Sequence, residues 1–174
     1  MENALLTQRS FRDVLGRFGT GVVLVTAQTG DGPVGMAANS FTSVSLDPPL
    51  VALCAARSST TWPAVRAAGG FAITILGAHQ EEVCRTFATR GIDRFVGLDW
   101  SHTPAGHPVL ADGLGWLDCV VETVHPAGDH ELVVARADRW AVMPRSSPLI
   151  FHSGRYTRLA EGRTPRVVPT HEQH

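Results

Sequence analysis

The sequence predicts a mainly β protein, built as an antiparallel barrel with a few short helices at its periphery. Short β-branched and apolar segments, roughly seven or eight of them, follow one another through turn-forming residues. Helical periodicity is confined to brief segments. Because the strands do not alternate with long helices, a parallel doubly wound sheet is not expected.

The first elements are marked by a helical repeat and then by short apolar runs. Apolar residues recur at positions 11, 14, 15 and 18, which is one face of a helix, and we expect Ser10 to cap it. Turn residues then separate β-branched segments that are too short for helices. Strands are expected at 22–26, 34–38, 41–46 and 50–55.

The second half continues the pattern with two short helices between strands. Ser59 or Thr60 is expected to open the first of them, with Pro63 in its first turn and two glycines at its end. The second helix is expected at 80–89. Residues 92–115 are rich in turns and receive no assignment. The remaining strands are expected at 71–76, 117–124, 132–142 and 149–152.

Composition indicates one folded domain and excludes several classes of protein. The 174 residues carry 15 Lys and Arg against 16 Asp and Glu, and 44% of them are hydrophobic. A disordered chain would be poorer in apolar residues. We expect a domain at 1–160 and a flexible polar tail at 161–174. The near-neutral charge, without a basic run, argues against nucleic acid or a membrane as partner.

The lack of targeting features and the pattern of cysteines predict a cytoplasmic protein. The chain has no apolar run of the roughly 20 residues that a membrane helix needs, and its first residues lack the features of a signal peptide. Cys54, Cys84 and Cys119 are widely spaced and odd in number, so neither a disulfide framework nor a zinc site is expected. They are most simply small buried residues.

The common signatures of catalytic and nucleotide sites are missing. The sequence contains no G-x-G-x-x-G, G-x-x-x-x-G-K-[ST], G-x-S-x-G or H-E-x-x-H. The pairs His102/His107 and His125/His130 have no obvious third ligand nearby. We therefore interpret these histidines as polar loop residues and expect no metal.

A run of hydroxyl side chains in residues 39–45 is the first unusual feature. In a regular strand, Ser40 and Thr42 would face one side, and Ser43 and Ser45 the other. Buried hydroxyls need partners, so two interpretations remain open. The segment is either an edge strand with one face exposed to solvent, or a strand whose hydroxyls donate hydrogen bonds to a polar ligand.

A second run of polar residues follows at a predicted helix start. Arg57, Ser58, Ser59, Thr60 and Thr61 combine one guanidinium with four hydroxyls. Such groups beside helix amides form a phosphate site. Ordinary capping would need only one of these hydroxyls. The apolar strand between the two runs would bring them together.

Residues 35–51, GMAANSFTSVSLDPPLV, resemble the signature of the flavin reductase family. They are most similar to the reductase component of two-component flavin-dependent monooxygenases. Further matches lie at 18–22, 93–95, 128–130 and 148–156, and the resemblance spans about 10–160. It implies a split β-barrel with Greek-key-like strand order, and a homodimer with flavin near the subunit interface.

The resemblance also implies the reaction. NADH or NADPH passes a hydride from nicotinamide C4 to flavin N5, and the reduced flavin leaves for a partner oxygenase. FAD is favoured over FMN, because similar proteins often use it. NADH is favoured over NADPH on the sequence itself, because no cluster of Arg marks a site for the 2′-phosphate. Because the cofactors carry the chemistry, no catalytic acid or base is expected, and His130 would bind and orient.

The family's site residues can be carried onto matching positions. Those implied for the flavin ring and ribityl chain are Met36, Ala37, Ala38, Asn39, Ser40, Ser43, Ser45 and Cys54. Those implied for its phosphate are Arg57, Ser58, Ser59, Thr60, Thr61 and Arg94. Those implied for the nicotinamide nucleotide are His130, His152, Ser153, Gly154, Arg155 and Tyr156. The family commonly has Thr at position 37, so one hydroxyl contact is absent from this chain.

Two other classes of function remain open. One is a different enzyme on the same barrel, either an oxidase of the pyridoxamine-phosphate type or a deazaflavin-dependent reductase. The other is a flavin-binding or storage protein without catalytic activity. The motif at 35–51 favours a flavin reductase over the other enzymes, and NADH oxidation would distinguish an enzyme from a binding protein.

Overall fold

The computed structural model describes residues 7–143 and 147–159, so the tail expected at 161–174 lies outside the described residues. The helices are α1 Gln8–Leu15, α2 Trp62–Ala67 and α3 Glu81–Ala88. The first six strands are β1 Thr20–Gly21, β2 Val23–Thr29, β3 Gly32–Ala38, β4 Thr42–Leu46, β5 Pro49–Ala56 and β6 Gly70–Ile75. The others are β7 Trp100–His102, β8 Pro108–Leu110, β9 Gly115–Ala127, β10 His130–Val142, β11 Leu149–His152 and β12 Arg155–Arg158.

Seven strands form the main sheet in the order β3-β2-β6-β9-β10-β5-β4, and neighbouring strands pair antiparallel. The sheet curls so that its two ends meet. The Ser40 hydroxyl, just after β3, donates to the carbonyl of Cys54 in β5 at 3.0 Å and accepts from its amide at 2.9 Å. The antiparallel barrel expected from the sequence is confirmed. Smaller sheets, β1-β11-β12 and β7-β8, flank it.

Two apolar clusters hold the barrel together. Alternate residues of β2, including Val23 and Val25, point into the barrel and pack with Leu53 and Phe71. The intervening Leu24 packs outside the barrel in a second cluster with Phe87 of α3. Strand β2 is therefore covered on both faces, which explains why it is a continuous apolar run in the sequence.

Close packing of α3 on the barrel depends on Gly35 in β3. A Cβ at this position would lie 2.6 Å from Phe87 Cε1 and 2.9 Å from Thr26 Cγ2. We expect Gly35→Ala to lower the free energy of unfolding by about 1–3 kcal/mol, because overpacking forces a buried ring to move. Chemical denaturation measures this effect. Gly30→Ala is the matched control, since nothing lies within 4 Å of its Cβ position, and equal stability losses in both variants would contradict the prediction.

Helix starts differ from the sequence-based expectations. Thr7, and not Ser10, caps α1, and Ser10 occupies the third helical position, where the two residues form a capping box. The sequence pattern did not distinguish the two residues, because the capping box places a hydroxyl both at the cap and at the third helical position. Helix α2 begins at Trp62 after Thr61, later than Ser59 or Thr60.

The turn-rich region at 92–115 contains β7 and β8, and β12 follows β11 through a tight turn. These strands have three or four residues each, too few to show an alternating pattern. In the described part of the chain, no helix has the length and apolar character needed to cross a membrane.

Candidate functional site

A cleft of about 360 Å³ lies between the ends of β3 and β5, the loop before α2, the end of α3 and the start of β10. Many residues predicted for the site line this cleft. They are Met36, Ala37, Ala38, Asn39, Ser40, Cys54, Ser58, Ser59, Thr60, Thr61, Arg94 and His130. Residues distant in sequence meet here because barrel closure places the end of β3 against β5.

The Arg94 guanidinium is held in the cleft wall by neutral acceptors. Its Nη1 donates to the Gly35 carbonyl at 2.6 Å and to Thr61 Oγ1 at 2.8 Å. Its Nε and Nη2 donate to the Thr89 carbonyl at 2.9 and 2.7 Å. Burial, and then the nearby charge of Arg90, lower the pKa of Arg94. The side chain is therefore rigidly placed, while its charge lacks local compensation.

A second cation, Arg90, lines the same cleft and was missed by the sequence analysis. Its Nη2 donates to the Ser58 carbonyl at 3.3 Å. Within residues 7–143 and 147–159, neither Arg90 nor Arg94 has a carboxylate within ion-pair distance. Two like charges without a counterion favour an anionic ligand. The sequence did offer one indication of Arg90, because it lies just after α3 and four residues before Arg94, which was predicted for the site.

The hydroxyl of Ser59 organises the loop that leads into α2. Ser59 Oγ accepts hydrogen bonds from the amides of Trp62 at 3.0 Å and Thr61 at 3.3 Å, and lies 3.8 Å from Met36 Sδ. This is the capping role that one hydroxyl of the run was expected to fill. The hydroxyl-bearing residues Ser58 and Thr60 also line the cleft, and their side chains do not cap α2.

Helix α2 is also tied to the start of β10. Trp62 Nε1 donates to Glu131 Oε2 at 2.7 Å, and Arg66 Nη1 lies 3.0 Å from Glu131 Oε1. The adjacent His130 lines the cleft, and its Nδ1 is 2.7 Å from Asp129 Oδ1. The hydrogen bond with His130 lowers the pKa of Asp129. His130 is thus held in place on the side of the cleft formed by β10.

A side pocket of about 160 Å³ shares Ala37, Ala38 and Asn39 with the main cleft, and Tyr156 lines it. The Cys84 thiol donates to the Tyr156 hydroxyl at 3.2 Å, and the Arg85 guanidinium lies 4.9 Å from the ring centre. Burial, followed by the bond with Cys84, raises the pKa of Tyr156 to about 12. The phenol therefore stays neutral at physiological pH.

Several predicted residues lie outside the main cleft. Ser43 and Ser45 are on the edge strand β4, where an irregularity at Val44 interrupts the alternation of faces. The Arg57 side chain lines a separate groove beside Arg66 and Glu131. Four of the six residues predicted for the nicotinamide nucleotide lie at the exposed end of the β11–β12 hairpin. His152 ends β11, Ser153 and Gly154 form the turn, and Arg155 begins β12. Their roles stay predictions.

Comparison with known proteins identifies the family. Residues 15–160 match the family described as "Flavin reductase like domain". The chain is 38% identical over 156 residues to a flavin-dependent monooxygenase reductase subunit, HsaB, of Rhodococcus jostii, covering 90% of this chain and 80% of that protein. It is 44% identical over 151 residues to a flavin reductase of Pseudomonas putida, covering 86% and 89% of the two chains.

Solved structures agree with the sequence comparison. A homologue of nitrilotriacetate monooxygenase component B from Mycobacterium thermoresistibile superposes with a TM-score of 0.87 at 40% identity, covering 91% of this chain and 90% of that one. The Streptomyces globisporus NADH:FAD oxidoreductase SgcE6, in complex with NAD and FAD fragments, gives a TM-score of 0.84 at 35% identity, covering 88% and 94%. The resemblance noted in residues 35–51 is confirmed, and the chain belongs to the flavin reductase family.

Proposed function

We propose that this protein is an NADH-dependent flavin reductase that reduces FAD or FMN in the main cleft and releases the reduced flavin to a separate monooxygenase. The observation that carries the proposal is the pair Arg90 and Arg94, two cations at one cleft without a carboxylate partner in the described residues. A flavin phosphate would supply the missing negative charge.

The donor set of the cleft fits a flavin nucleotide. The Ser58 and Thr60 hydroxyls line the same cleft as the two guanidinium groups and would complete a phosphate site. Small side chains at Ala37 and Ala38 leave the β3 backbone accessible to a flat ring. Flavin, when bound, supplies the acceptor for a hydride from NADH. The chain's own residues bind and orient, and His130, held by Asp129, contributes to the nicotinamide side.

Steady-state oxidation of NADH with FAD, FMN and riboflavin in turn tests the proposal. A reductase consumes NADH, and a phosphate site makes riboflavin the poorest of the three substrates. Absence of NADH and NADPH oxidation with every flavin would contradict it. Turnover of pyridoxamine phosphate would indicate the related oxidase, and flavin binding without any turnover would indicate a storage protein.

His130→Ala is expected to raise KM for NADH about tenfold, with little change in flavin affinity. His130 is the residue of β10 that lines the cleft. Loss of its imidazole is therefore expected to remove a contact to the dinucleotide. Arg155→Ala is the informative comparison, because the sequence resemblance predicts the same effect from a residue outside this cleft. Weaker flavin binding with unchanged KM for NADH would reverse the His130 assignment.

We further propose a homodimer. The apolar face of α1 and the following loop is uncovered, with Phe11, Val14, Leu15 and Phe18 between 55% and 76% exposed. This face adjoins a groove that includes Asn39 and is therefore continuous with the main cleft. Exposed apolar residues at this density mark an association surface. A second copy of the chain would cover this face and border the flavin.

The doubly substituted Val14→Asp, Phe18→Asp protein is expected to sediment as a monomer of about 19 kDa, because two buried charges would disrupt the contact. The wild type is expected to sediment as a dimer at micromolar concentration. Val142→Asp, at a site 87% exposed on β10, is the control for added charge. A monomeric wild type would remove the homodimer proposal.

A further inference from the structure

The carboxylate of Glu131, the second residue of β10, attaches that strand to the start of α2. Its Oε2 accepts from Trp62 Nε1 at 2.7 Å, and Arg66 Nη1 lies 3.0 Å from its Oε1. Trp62 is only 3% exposed, and the Glu131 side chain is 22% exposed. A buried indole N–H needs an acceptor, and hydrogen bonds to a carboxylate are stronger than those between neutral groups. Helix α2 is therefore held against β10 at its first residue.

The loop 57–61, between β5 and α2, depends on the position of Trp62. The Ser59 hydroxyl accepts from the Trp62 amide at 3.0 Å, so the loop is joined to the first residue of the helix. Thr61, the residue directly before the helix, makes no capping hydrogen bond with its side chain. The attachment of Trp62 to Glu131 therefore also fixes this loop.

The same loop orients the two arginines of the main cleft. The Ser58 carbonyl accepts from Arg90 at 3.3 Å. The Thr61 hydroxyl accepts from Arg94 at 2.8 Å. A shift of the loop would therefore displace its hydroxyls and the acceptors of both cations together.

The start of β10 gives this contact a fixed support. Glu131 pairs with Ala55 of β5 and with Pro126 of β9, so the sheet holds its backbone on both sides. Neighbouring residues of a strand point to opposite faces. Accordingly, His130 lines the main cleft, while Glu131 lines the separate groove beside Arg66. Removal of the Glu131 side chain is thus expected to release the loop and to leave His130 in place.

We propose that Glu131 is a positioning residue that gives the main cleft its affinity for the flavin phosphate. Through Trp62 it fixes the loop 57–61, and the loop places its hydroxyls and the two arginines around the phosphate. The inference rests on the proposed function, because it takes the main cleft as the flavin site. Glu131 lines another groove, so it acts without touching flavin or NADH.

Glu131→Ala is expected to weaken FMN binding about tenfold and to change riboflavin affinity less than about twofold. FMN needs the loop and the arginines in place, whereas riboflavin has no phosphate and does not report their position. The KM for NADH at saturating FMN is expected to stay within about twofold, because strand pairing keeps His130 in position. This is the opposite of the result expected for His130→Ala. Fluorescence titration measures the flavin affinities, and steady-state kinetics measures KM.

Three further variants separate positioning from general damage. Glu131→Gln keeps an oxygen that accepts from the indole, so its FMN affinity is expected to stay within about threefold of the wild type. Trp62→Phe removes the indole N–H but keeps an aromatic ring, and it is expected to lose FMN affinity about fivefold. Glu122→Ala is the matched control, since Glu122 also forms an ion pair with an arginine, Arg136, and neither residue lines the main cleft.

Each outcome decides the proposal. Loss of FMN affinity with unchanged riboflavin affinity, in both Glu131→Ala and Trp62→Phe, supports it. Equal losses for the two flavins, unchanged FMN affinity in either variant, or a loss in Glu131→Gln as large as in Glu131→Ala overturns it. Thermal unfolding shows whether each variant is folded, and if Glu131→Ala is not, Trp62→Phe decides with the same two flavins. Failure of the proposed function is distinguishable, because it would appear as absent NADH oxidation in the wild type.

Discussion

Arg94→Ala is expected to weaken the binding of FMN and FAD about a hundredfold and to leave riboflavin affinity nearly unchanged. A charge-assisted pair with phosphate contributes roughly 1.5–3 kcal/mol, and Arg94 is held ready for it by bonds to Gly35, Thr61 and Thr89. Riboflavin has no phosphate, so it reports separately any damage to the cleft from the loss of those bonds. Equilibrium titration with the three flavins measures the effect.

Substitutions of Arg90 and Arg57 show which arginines bind the phosphate. Arg90→Ala is expected to cost about tenfold in FMN affinity, because this more exposed side chain makes one weak bond to Ser58 and less of its charge reaches the phosphate. Arg57→Ala is the matched control, since Arg57 lines a different groove. If Arg57→Ala lost FMN affinity and Arg90→Ala did not, the phosphate site would lie where the sequence alone predicted it.

Reduced flavin is expected to leave the protein and to support a flavin-dependent oxygenase held behind a membrane that passes flavin but not protein. The described part of the chain forms one barrel whose main cleft has the donor set of a flavin site. Very tight binding of flavin would slow its exit and hence turnover. The purified protein is therefore expected to be pale and to need added flavin.

Exchange with labelled free flavin provides the measurement under low oxygen. During turnover, the label is expected to equilibrate with the bound pool within a few catalytic cycles. An oxygenase active only when mixed directly with the reductase would instead indicate handover inside a complex. A bright yellow protein whose flavin never exchanges would contradict release and favour an oxidase or a storage protein.

The sequence alone determined the three helices, most of the longer strands and the family. Short β-branched runs between turn residues allowed the hairpins to be placed, because strand periodicity and turn chemistry act within a few residues. The motif at 35–51 identified the flavin reductase family, which the comparisons confirm. The apolar repeat of α1 also predicted a helix there, although it could not indicate that this face is uncovered in a single chain.

Only the tertiary structure decided which charged and hydroxyl groups share the cleft. The sequence analysis selected Arg57 for the phosphate, but in the fold Arg90, just after α3, lines the cleft and Arg57 lines another groove. One irregularity at Val44 separates Ser43 and Ser45 from the regular alternation of faces. The grouping of the cleft residues depends on how elements meet across long stretches of chain, and such contacts have no local signal in the sequence.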